Sequence, residues 1–222
     1  TYQLVANQVQ WQIDVQNPTS KSVNITHFGV WSSLAYVMFR DKNVRRNMSD
    51  SAAIFPSVSP NFTKLAGVRR DNQGPNLGLF QTSGSMQSVG TYNEWTNRFF
   101  ENVSPSLDGL LFHRLELVGG YQPREAPSND WIYAHQSLTL AAGEQAKWSF
   151  VLQAFTTRQN FKEVGLQNEH PLVNFDPLVT VGQTTDITIQ LSKREQLKKL
   201  VLVYKVAGKE YQEDVTSNYH EG

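Results

Sequence analysis

Six acidic residues in the middle third of the sequence are the first candidates for chemistry: Glu94, Glu101, Asp108, Glu116, Glu125 and Asp130. Glycoside hydrolysis needs two carboxyl groups placed on either side of one glycosidic bond. Sequence spacing alone brings no two of these residues to that separation. Twenty acidic residues in the chain would mostly be solvated surface groups. A self-contained enzyme acting on sugars is therefore one hypothesis among several.

The five histidines show no spacing typical of a metal site, since neither H-x-H nor H-E-x-x-H occurs. Cysteine is absent, which excludes disulfides, thiolate chemistry and cysteine-ligated zinc. His113 is in phase with Leu115 and Leu117, which favours a buried structural histidine over a ligand or base. Adjacent strand residues point to opposite faces, so His113 and Arg114 should not serve one site. We expect no metal and no cofactor.

An aromatic stretch, SNDWIYAHQSLTL at 128–140, is the stronger lead. Within a strand at 131–140, Trp131, Tyr133 and His135 share one face, and the aliphatic side chains share the other. Flat rings beside planar amide, carboxylate and guanidinium groups suit a sugar. Residues of nearby segments complete the predicted ligand-binding set: Arg69, Arg70, Asp71, Trp95, Arg124 and Asp130. Packing against another domain is the alternative use of this face.

Period-two alternation dominates the chain and predicts an all-β, antiparallel β-sandwich with little helix. In the strand at 9–15, Trp11 alternates with polar residues, and Trp148 does so in the strand at 146–155, so both should be core. Further strands are predicted at 23–31, 35–39, 76–82, 110–118 and 131–140. Short helices are predicted at 92–103, where aromatic residues recur at i, i+3 and i+7, and at 158–167. Long loops are predicted for 41–75.

Three parts of the chain are expected from these patterns. A β-sandwich domain covers 1–158, and a connector with two prolines covers 159–183. A small Ig-like or added-strand β meander covers 184–222, with strands at 184–191, 198–208 and 209–215. The chain begins with Thr1 rather than Met, and we expect it to be a piece of a longer protein.

Charge and hydropathy exclude several classes of partner. Twenty basic residues balance twenty acidic ones, so no broad field favours nucleic acid or an anionic membrane surface. No apolar run approaches the length of about 20 residues that a membrane-spanning helix needs. We expect neither a nucleic-acid partner nor a membrane span.

Two segments carry a family resemblance: WQIDVQNPTSKSVNITHFGVW at 11–31 and SLTLAAGEQAKWSFVLQAF at 137–155. With Trp131 and His135 before the second, they resemble the N-terminal, galactose-mutarotase-like β-supersandwich of large secreted carbohydrate-active proteins. In those proteins an (α/α) toroid follows and usually holds the catalytic acids. The resemblance implies an extracellular or cell-surface location and carries over no catalytic residue.

The favoured hypothesis is an accessory domain of an extracellular polysaccharide-processing protein. Such a domain binds an oligo- or polysaccharide or buttresses an adjacent catalytic domain. Catalysis by this chain alone is not favoured, and the parent protein is the candidate glycoside hydrolase or related sugar-active enzyme. A structural or adhesive module that binds another protein is the alternative, and a self-contained glycoside-acting enzyme is the third hypothesis.

Overall fold

The structure is a computed structural model, and ten ranges of the chain are described: 1–32, 52–69, 75–93, 97–101, 111–122, 135–176, 178, 180, 182–192 and 197–218. The strands, in chain order, are β1 (Tyr2–Val5), β2 (Gln8–Gln16), β3 (Val23–Ile25), β4 (Phe28–Ser32), β5 (Ala52–Ser57), β6 (Lys64–Arg69), β7 (Asn76–Ser83), β8 (Ser88–Asn93), β9 (Arg98–Glu101), β10 (Leu111–Val118), β11 (Leu138–Leu140), β12 (Gln145–Phe155), β13 (Leu172–Asn174), β14 (Thr188–Gln190), β15 (Val201–Val206) and β16 (Lys209–Asp214). Helix α1 spans Arg158–Gln167, and a 3₁₀ turn spans Thr216–Asn218.

Two antiparallel sheets form a β-sandwich. The six-stranded sheet has the order β1-β2-β12-β7-β6-β5, and the four-stranded sheet has the order β4-β10-β8-β9. One apolar cluster takes residues from both sheets: Trp11, Ile54, Leu65, Leu79, Trp148 and Phe150 from the first, and Val89, Leu115, Leu117 and Val118 from the second. The shared core confirms the predicted all-β sandwich.

Strict alternation builds the central strands as the sequence predicts. In β2 and β12 the residues in phase with Trp11 and Trp148 enter the core, and Trp11 lies opposite Phe150 across the pair. The two rings pack with their centroids 5.2 Å apart. The Trp148 indole Nε1 donates a hydrogen bond of 2.8 Å to the carbonyl of Ser85. Both tryptophans are therefore buried, as predicted.

The two segments that carry the family resemblance lie side by side. The strands β2 and β12 pair over most of their length, and β3 pairs with β11. Between them, the buried amide of Asn17 donates to the carbonyls of Leu140 and Ala141 at 3.0 and 2.9 Å. The turn after β2 is thereby tied to the β11–β12 hairpin.

The single strand predicted at 23–31 is wrong, because the chain forms two strands in different sheets. The strand β3 pairs with β11, whereas β4 pairs with β10 of the four-stranded sheet. The apolar phase changes between Ile25 and Phe28, both of which pack against the core. One continuous strand could not bury both residues on the same face.

The helix predicted at 92–103 is wrong in its described part, which belongs to a β-hairpin. Tyr92, the last residue but one of β8, lies opposite Phe99 of β9, and the chain passes through Asn97 with a left-handed φ of 48°. The Tyr92 hydroxyl and the Asn97 side-chain oxygen are 2.9 Å apart. Residues 94–96, 102 and 103 lie outside the described residues, as does the strand predicted at 35–39.

The long loops predicted at 41–75 are likewise wrong over 52–69, where the chain forms the β5–β6 hairpin. The short apolar pieces of this polar stretch alternate, so that Ile54 and Leu65 reach the core. In the sheet as described, β5 is the outermost strand, and its Pro56 lies opposite Leu65.

The strand predicted at 131–140 begins at Leu138 in the described residues. Residues 135–137 are not part of a strand. The carbonyl of Gln136 instead accepts a 2.8 Å hydrogen bond from the Gly119 amide. The Gln136 amide donates to the side chain of Gln87 at 3.1 Å. These contacts place 135–137 beside the four-stranded sheet.

Helix α1 is confirmed and closes a second, smaller apolar cluster on the other face of the six-stranded sheet. Thr157 caps the helix by accepting a 3.0 Å hydrogen bond from the Asn160 amide. Phe161 packs on Phe80 and Phe155 with ring centroids 5.1 and 4.8 Å apart. This helix follows the sandwich strands directly, and the boundary at 158 stays a prediction.

Two two-stranded sheets follow the helix. The strand β14, predicted as the first strand of the meander, pairs with β13, while β15 pairs with β16. The division into a connector at 159–183 and a unit at 184–222 stays a prediction. No helix in the described ranges has both the length and the apolarity to cross a membrane.

Candidate functional site

Charged and aromatic side chains converge on the outer face of the four-stranded sheet, which is the face turned away from the core. The antiparallel register places Trp31, Arg114, Gly90 and Glu101 in one row across all four strands. Adjacent strands lie about 4.8 Å apart, so residues distant in sequence meet within one row. We call the following set the ionic–aromatic cluster: Trp31, Tyr92, Glu101, Arg114, Glu116, Tyr121 and His135.

Arg114 is at the centre of this cluster and is buried. Its Nε donates to Glu116 Oε1 at 2.6 Å. Its guanidinium carbon lies 5.0 Å from the Trp31 ring centroid and 4.6 Å from that of Tyr121. The cation is therefore held by one carboxylate and two aromatic faces.

The three exposed or half-exposed rings of the cluster contact one another edge-on. The Trp31 ring centroid lies 5.2 Å from that of Tyr121 and 6.2 Å from that of Tyr92. Trp31 keeps 43% of its surface exposed. An aromatic surface thus remains accessible above buried charges in the described part of the molecule.

Glu101 and His135 form a second ion pair, with Oε1 and Nε2 2.6 Å apart. The other ring nitrogen, Nδ1, lies 2.8 Å from the carbonyl oxygen of Gly119. A carbonyl only accepts, so Nδ1 carries a hydrogen and donates it. The Glu101 side chain is fully buried, whereas 11% of the His135 side chain is accessible.

Glu116 is buried beside this pair, and its protonation is finely balanced. Burial raises the pKa of Glu116 to about 7, the Arg114 charge and hydrogen bond oppose that rise, and the charge of Glu101 adds to it. Glu116 Oε2 has no hydrogen-bond partner among the described residues. The carboxyl group therefore exchanges a proton near neutral pH.

Two glycines make room for the cluster on neighbouring strands. A Cβ on Gly29 would lie 2.6 Å from Arg114 Nε and 2.8 Å from Glu116 Oε2. A Cβ on Gly90 would lie 2.4 Å from the ring of Phe99. Side chains at either position would displace the ion pair or the ring that packs beside it.

Of the nine predicted ligand-binding residues, the described ranges include Arg69 and His135. His135 lies in the cluster, while Arg69 ends β6 of the six-stranded sheet and donates its backbone amide to Asn76 Oδ1 at 3.0 Å. The two residues thus belong to different sheets. The remaining seven lie outside the described residues: Arg70, Asp71, Trp95, Arg124, Asp130, Trp131 and Tyr133.

Glu101 and Glu116 are among the carboxylates that the sequence offers, but their spacing does not pair them, and the predicted ligand-binding set does not contain Arg114, Trp31 or Tyr121. Arg114 and Glu116 are out of phase with Leu115 and Leu117 of the same strand. Charged residues in that phase, on a strand whose other face is core, indicate a polar outer face. The burial of these two side chains cannot be inferred from the sequence, because it depends on which strands lie beside β10.

Two buried histidines lie elsewhere. His113 faces the core, and burial lowers its pKa to about 4. Burial also lowers the pKa of His170 to about 4, and its Nε2 donates to the carbonyl of Gln81 at 2.7 Å. Both rings are neutral at neutral pH, so neither adds a charge to the site. Within the described residues, no group of three acidic or histidine side chains has the geometry of a metal site.

No protein-family model and no curated protein sequence matches the chain. Among solved structures, the chain is similar to a polysaccharide lyase, with a TM-score of 0.58 and 13% sequence identity. The superposition covers 96% of this chain and 32% of the lyase chain, so this chain spans about a third of the length of that structure. At this identity the similarity shows a shared β fold.

Proposed function

We propose that the chain is an accessory β-sandwich of an extracellular polysaccharide-processing protein and that the outer face of its four-stranded sheet contacts the glycan. The observation that carries the proposal is the accessible aromatic surface of Trp31, Tyr92 and Tyr121 over the buried Arg114. Aromatic rings stack on the apolar faces of sugars, while buried charges behind them fix the geometry. The match to one third of a polysaccharide lyase supports a role as one part of a larger protein.

The same face has a second possible use within this proposal, which is to buttress a catalytic domain of the parent protein. In that case Trp31 would be covered by protein instead of sugar. The proposal includes the galactose-mutarotase-like type of sandwich, which would adjoin a helical toroid in a parent carbohydrate-active protein.

Replacing Trp31 by alanine is expected to weaken polysaccharide binding about fivefold, because one aromatic contact contributes roughly 1 kcal/mol. Isothermal titration of the 222-residue chain with neutral and uronate-containing polysaccharides measures this effect. Phe55→Ala is the matched control, since this ring is 56% exposed on β5 of the other sheet. Equal binding by the Trp31 variant and the native chain would exclude this face as the glycan site. Absence of binding to every polysaccharide would leave the domain interface as its use.

Acid–base chemistry on a polysaccharide is the second candidate function, and the Glu101–His135 pair favours it. Glu101 Oε1 and His135 Nε2 lie 2.6 Å apart, and the histidine is partly accessible. An imidazole beside a carboxylate is an arrangement that can take a proton from a substrate or return one. Glu116 beside the pair, whose pKa burial raises to about 7, can supply or accept a further proton near neutral pH.

If the chain acts in this way, His135→Gln should lower the release of new sugar chain ends from polysaccharide at least ~100-fold. His27→Gln, at an exposed position between β3 and β4, is the control and should leave the rate unchanged. Both variants are checked for folding by thermal unfolding. A native chain that releases no chain ends from any polysaccharide tested removes this second function and leaves the accessory role in place.

A further inference from the structure

A groove of about 550 Å³ lies on the outer face of the six-stranded sheet, on the opposite side of the sandwich from the ionic–aromatic cluster. Its volume is within the range of small-molecule binding sites. Strands β2 and β12 form its floor, and the residues after α1 and the loop before β6 form its walls. The residues that carry the inference are Gln8, Gln10, Asn61, Phe62, Gln167 and Glu169.

The groove presents unpaired amides on a fixed frame. Gln8 and Gln10 alternate along β2, about 6.8 Å apart, and point to the same face. No hydrogen bond ties the side chains of Gln8, Gln10, Asn61 or Gln167 to any other described residue. The buried Gln81, in contrast, donates its side-chain amide nitrogen to the carbonyls of Pro60 and Gly84, so its amide is not available to a ligand.

The charge of the groove favours an uncharged ligand. Among the described residues that line it, Glu169 is the one ionisable side chain, and none is Lys, Arg or His. An anionic ligand would therefore meet a carboxylate without a compensating cation. Amides and one carboxylate instead match hydroxyl groups, which both donate and accept hydrogen bonds.

Phe62 supplies an aromatic surface at the edge of the groove. Its ring is 42% exposed and lines the groove. It packs edge-on against the buried ring of His170, with centroids 5.9 Å apart. The contact orients Phe62 while leaving part of the ring free.

The backbone at Glu169 provides an independent observation. The His170 amide donates to the Gly165 carbonyl at 2.9 Å, and the Glu169 amide donates to the Leu166 carbonyl at 3.0 Å. This is the Schellman ending of a helix, in which the left-handed residue is usually glycine. Glu169 adopts φ 65° there, so its backbone is strained, and its side chain lines the groove where glycine would leave none.

We propose that this groove binds a neutral oligosaccharide, with Phe62 stacking on a sugar ring and Gln8, Gln10 and Glu169 bonding to hydroxyl groups. The site is separate from the face assigned under the proposed function and does not rest on it. A sandwich with both sites would hold one glycan on each side.

The test is an NMR titration of the ¹⁵N-labelled 222-residue chain with cellohexaose, mannohexaose and galactohexaose, and with a hexamer of mannuronic acid as the anionic probe. At least one neutral hexamer is expected to shift the side-chain amide signals of Gln8 and Gln10 in a saturable way. The mannuronate hexamer is expected to bind at least tenfold more weakly than that neutral hexamer.

Three variants distinguish binding in this groove from binding elsewhere on the chain. Phe62→Ala should weaken the neutral hexamer about tenfold, and Phe55→Ala, at an exposed ring of β5 outside the groove, should leave its binding unchanged. Glu169→Gly should also weaken binding while holding or raising the midpoint of thermal unfolding, because glycine relieves the backbone strain. Absence of shifts with all three neutral hexamers overturns the proposal, as does equal binding by the Phe62 variant and the native chain. A loss caused by Phe55→Ala would overturn it as well, because that ring lies outside the groove.

Discussion

Replacing Gly119 by alanine should destabilise the sandwich by about 3 kcal/mol or more and release His135 from its position. Gly119 has φ 58°, and a Cβ at this residue would lie 1.9 Å from the backbone oxygen of Thr26. Backbone atoms cannot swing aside as a long side chain can. The backbone must therefore shift where the end of β10 contacts the segment between β3 and β4.

The damage should reach the ionic–aromatic cluster because Gly119 uses both of its backbone groups there. Its amide donates to Gln136, and its carbonyl accepts from His135 Nδ1. Denaturant unfolding gives the loss of free energy, and the ¹⁵N signals of the His135 ring report whether Nδ1 keeps its hydrogen bond.

The control is Gly143→Ala in the turn between β11 and β12. Gly143 also has a positive φ, of 75°, but a Cβ there would meet no atom within 4 Å. The backbone conformation alone should cost about 1–2 kcal/mol. Equal losses for the two variants would show that the contact with Thr26 is not what requires glycine at 119.

Replacing Arg114 by methionine should cost about 3–5 kcal/mol at a pH well above 7, because it leaves a buried carboxylate without its cation. Glu116 is completely buried, and Arg114 is its partner at 2.6 Å. Methionine keeps much of the length and the apolar stem of arginine, so packing losses stay small. The cation–π contacts with Trp31 and Tyr121 are lost as well.

The loss should depend on pH in a direction set by Glu116. Its folded pKa of about 7 exceeds the ordinary value of 4.5, so the folded state binds more protons between these values. Stability from this group is therefore complete below the lower value and declines as pH rises through the higher one. Removing Arg114 raises the pKa of Glu116 further, so the variant should approach the native chain near about pH 5 and fall behind it near about pH 8.

Two further variants test this account by urea unfolding at both pH values. Adding Glu116→Gln to Arg114→Met should remove the pH dependence and recover part of the lost stability. Lys205→Met breaks an exposed ion pair with Glu210, of 4.0 Å, and should have no measurable effect. A pH-independent loss in the Arg114 single variant would mean that packing, and not the unpaired carboxylate, sets its cost.

The parts of the fold that the sequence predicts are those in which one face of a strand is uniformly apolar. The strands β2, β7, β10 and β12 follow from alternation, and α1 follows from its short helical pattern. The prediction is wrong where the apolar residues of a short segment fit both the helical period of about 3.6 and the strand period of two. Tyr92 and Phe99 are seven residues apart, as on a helix, yet they face each other across a hairpin. Such a choice is decided by the partner strand, which local sequence does not contain.

The candidate site was less predictable than the fold, because it depends on strand order. Glu101 and Arg114 lie in one row because β8 separates their strands and has Gly90, which carries no side chain, at the position between them. The alternation argument correctly separated His113 from Arg114, but it could not reveal that Arg114 has its partner two residues further along the strand. His135 was selected for a strand face, whereas hydrogen bonds at Gly119 and Gln136 hold its segment in place.

The outermost strands of the six-stranded sheet determine how easily a second molecule could add a strand to it. A sheet edge with unpaired backbone groups recruits strands from neighbouring molecules. Pro56 lacks an N–H group, so β5 offers an incomplete template at the edge of the sheet as described. At the opposite edge β1 is four residues long, from Tyr2 to Val5, so a strand from another molecule could form few backbone hydrogen bonds with it. Both edges of the six-stranded sheet, as described, are therefore poor templates for an added strand.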